Sequence, residues 1–251
     1  MAFGLIVIGD EILSGKRQDK HFARVRELLA ARGLKLSWVQ YLGDDRPRLI
    51  SALRHSFASD DIVFSCGGIG ATPDDHTRQS AAAAWEVPLE LHPGARDLIA
   101  QHMVEINQPL TPERLRMGEL PQGAELIPNP YNRIPGFSLQ QHHFVPGFPV
   151  MAWPMIEWVL ETHYQALFGV GDETERGMIV RGLNEGTLTP LMEVVEAEFP
   201  GVHIFSLPRI DPAQRFRYEI DLGVKGQADQ LDAAFARLRT GVLDLGGEIS
   251  A

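Results

Sequence analysis

Three glycines within four positions, Gly67, Gly68 and Gly70, follow the apolar run 61–65 and precede the helix-favouring stretch 77–85. A chain built this way must leave a buried strand, turn sharply and enter a helix. Glycine allows backbone conformations closed to other residues and lets the main chain approach a ligand, while the helix start offers unpaired N–H groups and a positive dipole end. Phosphate suits such a turn. The next carboxylates, Asp74 and Asp75, would repel a bare phosphate, so the pairing makes better sense with a divalent cation between them and the phosphate oxygens. The plainer alternative is a tight turn in which Asp74 or Asp75 caps the helix, and composition does not separate the two. The run lacks the Lys-[Ser/Thr] ending of a P-loop and the spacing of a dinucleotide fingerprint.

Around this junction, short apolar runs alternate with amphipathic stretches, the pattern of an α/β protein with a mostly parallel sheet. Residues 3–8 predict a buried strand. Phe22, Val25, Leu28 and Leu29 share a helical face that Asp19 starts and Gly33 stops, and 36–42 returns as a strand. An aspartate of the pair Asp44-Asp45 caps a second helix with Pro47 in its first turn, and 61–65 is the third strand. Helices are expected over 77–85, 95–106 and 112–120, an irregular loop over 127–137, a strand at 143–145, and a long helical stretch from the Pro146-Gly147-Phe148-Pro149 turn to about Phe168. Composition shifts at 169–173, and the remainder predicts strand 177–183, helix 188–199, strands 202–207 and 215–224, and helix 230–243. The expected domains are an α/β unit over 1–169 and a small α+β unit over 170–251.

The formal net charge of −10 is spread without long single-sign runs, which argues against nucleic-acid or anionic-membrane surfaces. No apolar run reaches membrane length. The single cysteine, Cys66, excludes an intrachain disulfide framework and fits a reducing compartment, so a cytoplasmic protein is expected. Nearby acids disfavour a Cys66 thiolate, which predicts a packed core residue. His142 and His143 are adjacent, hence on opposite faces of a strand, and predict structural or rim roles rather than joint chelation.

A second acidic cluster, Gly9-Asp10-Glu11 with Ser14, begins where the first strand ends, and Asp44-Asp45 lies at the end of the second. In an open α/β sheet ligands collect beyond the carboxyl ends of the strands, so these acids should share a rim with the glycine turn. Singly, each has a local capping explanation. Gathered, several carboxylates repel unless cations offset them, which favours a Mg²⁺-dependent phosphate site.

These motifs, with Asn129-Pro130 and Pro135-Gly136-Phe137, resemble the molybdopterin-binding fold family, and within it the N-terminal domain of CinA-type (competence/damage-inducible) proteins. The resemblance covers about the first 170 residues well and the rest loosely. It implies a three-layer α/β fold, self-association into a homo-oligomer, and a small-molecule partner carrying a nucleotide or pterin phosphate. In related molybdenum-cofactor enzymes two aspartates support adenylyl transfer onto molybdopterin, at motif positions corresponding to Asp44 and Asp75. CinA-type relatives are associated with metal-dependent pyrophosphate hydrolysis of ADP-ribose, and a similar domain in FAD synthases with FAD hydrolysis. The expected function is therefore phosphate binding with hydrolysis of an ADP-ribose-like pyrophosphate, against two rivals: molybdopterin binding or adenylylation, and a noncatalytic assembly module. Gly67, Gly68, Gly70 and Thr72 would cradle phosphate, with Thr77 in the same motif. Asp10, Asp44 and Asp75 would hold Mg²⁺ or another divalent cation and orient water, and Asp74, Ser14 and Gly147 would complete the pocket. The family's Gly-Pro-Thr is Gly70-Ala71-Thr72 here, which removes a rigid φ. Full-length CinA proteins continue into a nicotinamide-mononucleotide deamidase domain beyond where this chain stops, so that amidase activity is not expected.

Overall fold

The computed structural model describes residues 2–169, 174–210, 218–226 and 228–250. The chain divides into two compact units, Met1–Gly171 and Asp172–Ala251.

The first unit begins with β1 (Phe3–Ile8), buried along its whole length, the short helix α1 (Asp10–Leu13) and helix α2 (His21–Ala30). Asp19 starts α2 by accepting the N–H groups of His21 and Phe22 at 2.8 and 3.1 Å. The buried face of α2 is His21, Val25, Leu28 and Leu29, so Phe22, expected inside, is exposed. Strand β2 (Leu36–Leu42) follows, then α3 (Arg46–Phe57), capped by Asp45, which accepts the Arg48 N–H at 3.0 Å. Next come β3 (Ile62–Cys66) and α4 (Thr77–Trp85). Asp61 lies outside β3 and accepts both Ala2 N–H and Trp38 Nε1–H at 2.9 Å, pinning the starts of neighbouring strands.

Strand β4 (Leu89–Leu91), α5 (Pro93–Glu105) and α6 (Pro112–Leu115) lead to β5 (Glu119–Pro121). The helix expected over 112–120 is thus cut short, because residues 119–121 pair antiparallel with β4 after a 3₁₀ turn. Strands β6 (Glu125–Ile127), β7 (Gly136–Leu139) and β8 (His142–Val145) precede α7 (Pro149–His163). The loop expected over 127–137 keeps its irregular backbone only between β6 and β7, whose ends pair Ile127 with Gly136.

The sheet runs β2-β1-β3-β8-β7-β6, parallel from β2 to β8 and antiparallel beyond. Phe3, Leu5 and Val7 face the core shared with α2 and α7, while Ile6 and Ile8 face the core shared with α3 and α4. Burial on both faces explains why β1 is a continuous apolar run, and it gives three layers. The parallel order brings the ends of β1, β3 and β8 side by side.

The second unit contains β9 (Thr174–Arg181), α8 (Glu185–Glu198), β10 (His203–Ile210), β11 (Tyr218–Gly226), α9 (Ala228–Asp244) and β12 (Glu248–Ser250). Its antiparallel sheet runs β10-β11-β9-β12 over a core that includes Val180, Leu222, Leu188 and Leu238. The sequence pattern missed β12, a three-residue edge pairing with β9. Residues 170–173 of the composition shift, and 215–217 of the strand expected over 215–224, lie outside the described residues. Among the described residues, no helix is long and apolar enough to cross a membrane.

Cys66 is fully buried, and burial pushes its thiol well above the ordinary range. His142 and His143 are both buried, on opposite faces: His142 Nε2 meets Ser56 Oγ at 2.7 Å, while His143 bonds Ser138 Oγ at 2.8 Å and the Tyr164 hydroxyl at 2.7 Å. Burial lowers them from 6.5 to about 4 and about 3 respectively, with the neighbouring His163 and His142 charges lowering His143 further. The unfolded imidazoles take up protons as pH falls through 6.5, whereas the folded ones do so only near 4 and 3, so stability is lost as pH falls across that window. Each fully titrating histidine contributes a slope of about 1.4 kcal/mol per pH unit. His142→Gln, which keeps a polar end near Ser56 but cannot protonate, is expected to remove about half of the two-histidine slope between pH 6 and 5; urea unfolding at the two pH values measures it.

Candidate functional site

Where β1, β3 and β8 end, the chain turns through Gly9, Gly67-Gly68 and Pro146-Gly147, and these turns border a cavity of about 390 Å³. That volume lies in the range of small-molecule sites. Gly67 has φ +115°, and a Cβ there would run into the carbonyl oxygen of Ile8. Gly68 has φ +67°, and a Cβ would strike the Thr77 hydroxyl. No other residue fits either place.

The glycine loop is gripped from one side by the first two residues of α4. Thr77 Oγ1 donates to the Gly67 carbonyl at 3.0 Å and Thr77 N–H to the Gly68 carbonyl at 3.0 Å. Arg78 Nε donates to the Ile69 carbonyl at 3.1 Å and Nη2 to the Gly70 carbonyl at 2.6 Å. Four consecutive carbonyls therefore point toward α4. The described peptide bonds are trans, and in a trans peptide the N–H opposes the carbonyl, so the N–H groups of Gly68, Ile69, Gly70 and Ala71 point the other way. None of the four has an acceptor among the described residues. These residues line the cavity, so the loop forms a concave set of donors suited to an anion.

Arg78 is 2% exposed and closes the grip by donating through Nη1 to the carbonyls of Arg116 and of Glu119, the latter at 3.0 Å. Burial pushes its guanidinium down, and the charges of Glu119 and Asp75 oppose that shift. Sequence reading did not single out Arg78. Arginine after a threonine at a helix start carries no signal of its own, and only the folded loop reveals its partners.

The acidic residues divide. Asp10 and Asp44 are bound reciprocally: Asp10 N–H donates to Asp44 Oδ2 at 2.9 Å, and Asp44 N–H to Asp10 Oδ1 at 3.2 Å. Asp44 borders the cavity and Asp10 does not. Burial, and then the charges of Asp10, Glu11 and Asp74, push the Asp44 carboxyl up, against the Asp10 N–H that holds it down. Asp75 borders the cavity while its Oδ2 accepts Thr72 N–H at 2.8 Å and the Thr72 hydroxyl, closing the turn around Gly70. Asp74, Thr72, Gly67, Gly68, Gly70 and Gly147 border it too. Ser14 ends α1 away from it, and Thr77 is fully buried beneath the loop, a support rather than a contact. Asp45 is a helix cap.

Among the described residues, no three His, Cys, Asp or Glu side chains gather closely enough to hold one metal ion. The expected cage of Asp10, Asp44 and Asp75 is therefore not formed, because Asp10 turns to the Asp44 backbone and Asp75 to Thr72. The donor set fits a different arrangement, a hydrated Mg²⁺-type cation held by one or two carboxylates with ligand phosphates completing its shell. Asp44, with its raised carboxyl among acidic neighbours, and Asp74 or Asp75 are the residues available for it.

Glu11 of the second acidic cluster lines the cavity as well, and so does Arg17, which the sequence reading passed over. His21, also missed, reaches the Gly147 carbonyl through Nε2 at 3.0 Å. Asn129 fixes the loop opposite, its amide donating to Asn132 Oδ1 at 2.8 Å and the Ile134 carbonyl at 2.9 Å. The grip on the glycine loop predicts that Thr77→Val, which removes one hydroxyl at constant shape, loses about 1–2 kcal/mol of stability and weakens inorganic pyrophosphate binding about tenfold; thermal unfolding and calorimetry measure the two effects on one sample.

Comparison with known proteins agrees with the fold. The family model described as "Probable molybdopterin binding domain" matches residues 4–166. A CinA-like protein of Syntrophotalea carbinolica is 31% identical over 215 residues, covering 80% of this chain and 52% of that protein. A protein of Aeropyrum pernix is 28% identical over 257 residues, covering 98% of this chain and 95% of its own. The chain thus spans about half the length of the CinA-like relative. The crystal structure of CinA from Thermoplasma acidophilum, a protein described as of unknown function, matches with a TM-score of 0.58 at 25% identity, over 64% of this chain and 98% of that one. The chain belongs to the molybdopterin-binding domain family and has CinA-like proteins among its relatives.

Proposed function

We propose that the cavity binds the phosphates of a nucleotide or pterin and hydrolyses a pyrophosphate bond, with ADP-ribose as the model substrate. The observation that carries this is the row of four N–H groups, without an acceptor among the described residues, opposite the carbonyls that Thr77 and Arg78 hold. Backbone donors fixed before the ligand arrives need no reorganisation to receive phosphate oxygens. In hydrolysis, water adds to one phosphorus, the bridging P–O bond breaks, and AMP and ribose 5-phosphate leave. Asp44 Oδ2 is occupied by the Asp10 N–H, so Oδ1 orients the attacking water and accepts its proton. The raised Asp44 carboxyl suits a proton acceptor. Asp75 keeps the loop closed through Thr72 and leaves Oδ1 for water or a cation. A divalent cation, when bound, offsets the acidic wall and the charge on the phosphates. Self-association belongs to the same proposal, supported by edge strand β2, where Val39 and Tyr41 are exposed.

Family membership favours a second reading, in which the same donors hold molybdopterin or its adenylylated form. The two separate on turnover. With ADP-ribose and Mg²⁺, the first predicts AMP release that stops when EDTA removes the cation and falls at least about a hundredfold in Asp44→Asn; full activity in that variant would remove Asp44 from the chemistry. Tight binding of a molybdopterin analogue with no AMP release from ADP-ribose would favour the second.

A further inference from the structure

Phe148 sits at the cavity mouth, directly after the Gly147 that packs against the glycine loop: a Cβ on Gly147 would lie 3.4 Å from the Gly67 Cα. Phe148 is 54% exposed, although it lines the cavity. Apolar side chains, Ile134 and Met151, line the cavity as well. Over the Phe148 ring stands the Arg17 guanidinium, 5.7 Å from the centroid. Among the described residues that line the cavity it is the cationic one, facing the carboxylates of Glu11, Asp44, Asp74 and Asp75.

The spacing is informative. Two planar groups in contact lie about 3.5–4 Å apart, and a third plane between them needs about 7 Å. A guanidinium carbon 5.7 Å from the ring centroid is a cation–π contact, so Arg17 has to lift or swing aside for a ring to lie against Phe148. That shift is cheap. The ion pair between Arg17 and Glu11 spans 3.6 Å with both side chains well exposed (57% and 43%), the class of pair worth least. The Arg17 backbone is tied to the Glu11 carbonyl at 2.9 Å, so the side chain can move while its anchor stays.

We infer that Phe148 and Arg17 form a clamp for a planar heteroaromatic ring, so that the site selects ring-bearing diphosphates over those without a ring; this rests on the phosphate-binding reading above. Phe148 is the platform, Arg17 the cover, and both act on specificity rather than on bond breaking. Calorimetry with two probes, ADP-ribose and inorganic pyrophosphate, each with Mg²⁺, tests it on wild type, Phe148→Ala, Phe148→Trp and Arg17→Ala. The clamp predicts that Phe148→Ala and Arg17→Ala weaken ADP-ribose about tenfold and leave pyrophosphate unchanged, while Phe148→Trp retains ADP-ribose binding. Equal weakening of both probes would overturn it, assigning Phe148 to loop shape or Arg17 to phosphate contact, and so would unchanged ADP-ribose affinity. If wild type binds neither probe, the phosphate-binding reading itself fails, an outcome distinct from a failed clamp.

Discussion

The grip of α4 on the glycine loop governs the rest of the site. A peptide unit cannot present both its polar ends to the same side, so four carbonyls drawn toward Thr77 and Arg78 leave four N–H groups facing away. Arginine suits the role because its planar fork reaches several acceptors at fixed angles, where lysine offers a point charge. Here its bonds go to carbonyls of the loop and of residues 116 and 119 rather than to a carboxylate. Among the described residues no carboxylate bonds it directly, and the charges of Glu119 and Asp75 act on it from nearby.

Sheet order brings the other parts to this loop. Because β1 pairs with β3 and β3 with β8, all parallel, the turns that follow them abut at one edge. Burial on both faces of β1 fixes its register, since a slip of one residue would exchange the side chains that fill the two cores. Asp61 contributes from the opposite end of the sheet by joining the chain start to Trp38. Packing and site geometry are thus one problem, solved by the same strands.

Much of this was legible from periodicity and punctuation. The strand at 3–8, the helices around Val25 and Leu53 and the helix after the glycine run follow from apolar spacing and from aspartate and proline at helix starts. Elements decided by distant partners were not legible: residues 119–121 leave a helical pattern because β4 offers a ladder, and β12 exists only because β9 has a free edge. The site divides along the same line. Backbone-shaping glycines announce themselves, but whether a carboxylate faces the cavity depends on local turns, which is why Asp10 bonds to Asp44 and Thr77 becomes a buried support. Arg78 and Arg17 could not be found from spacing, since their partners lie on other elements.

The turns at Gly67 and Gly147 follow the adjacent strands β3 and β8, and a Cβ on Gly147 would already lie 3.4 Å from the Gly67 Cα. Main chain there has no rotamers to freeze when a guest arrives and no tip to trim by mutation. The spacing of these two turns is consequently set by the framework of the sheet, whereas side chains at the rim can be exchanged without disturbing the foundation.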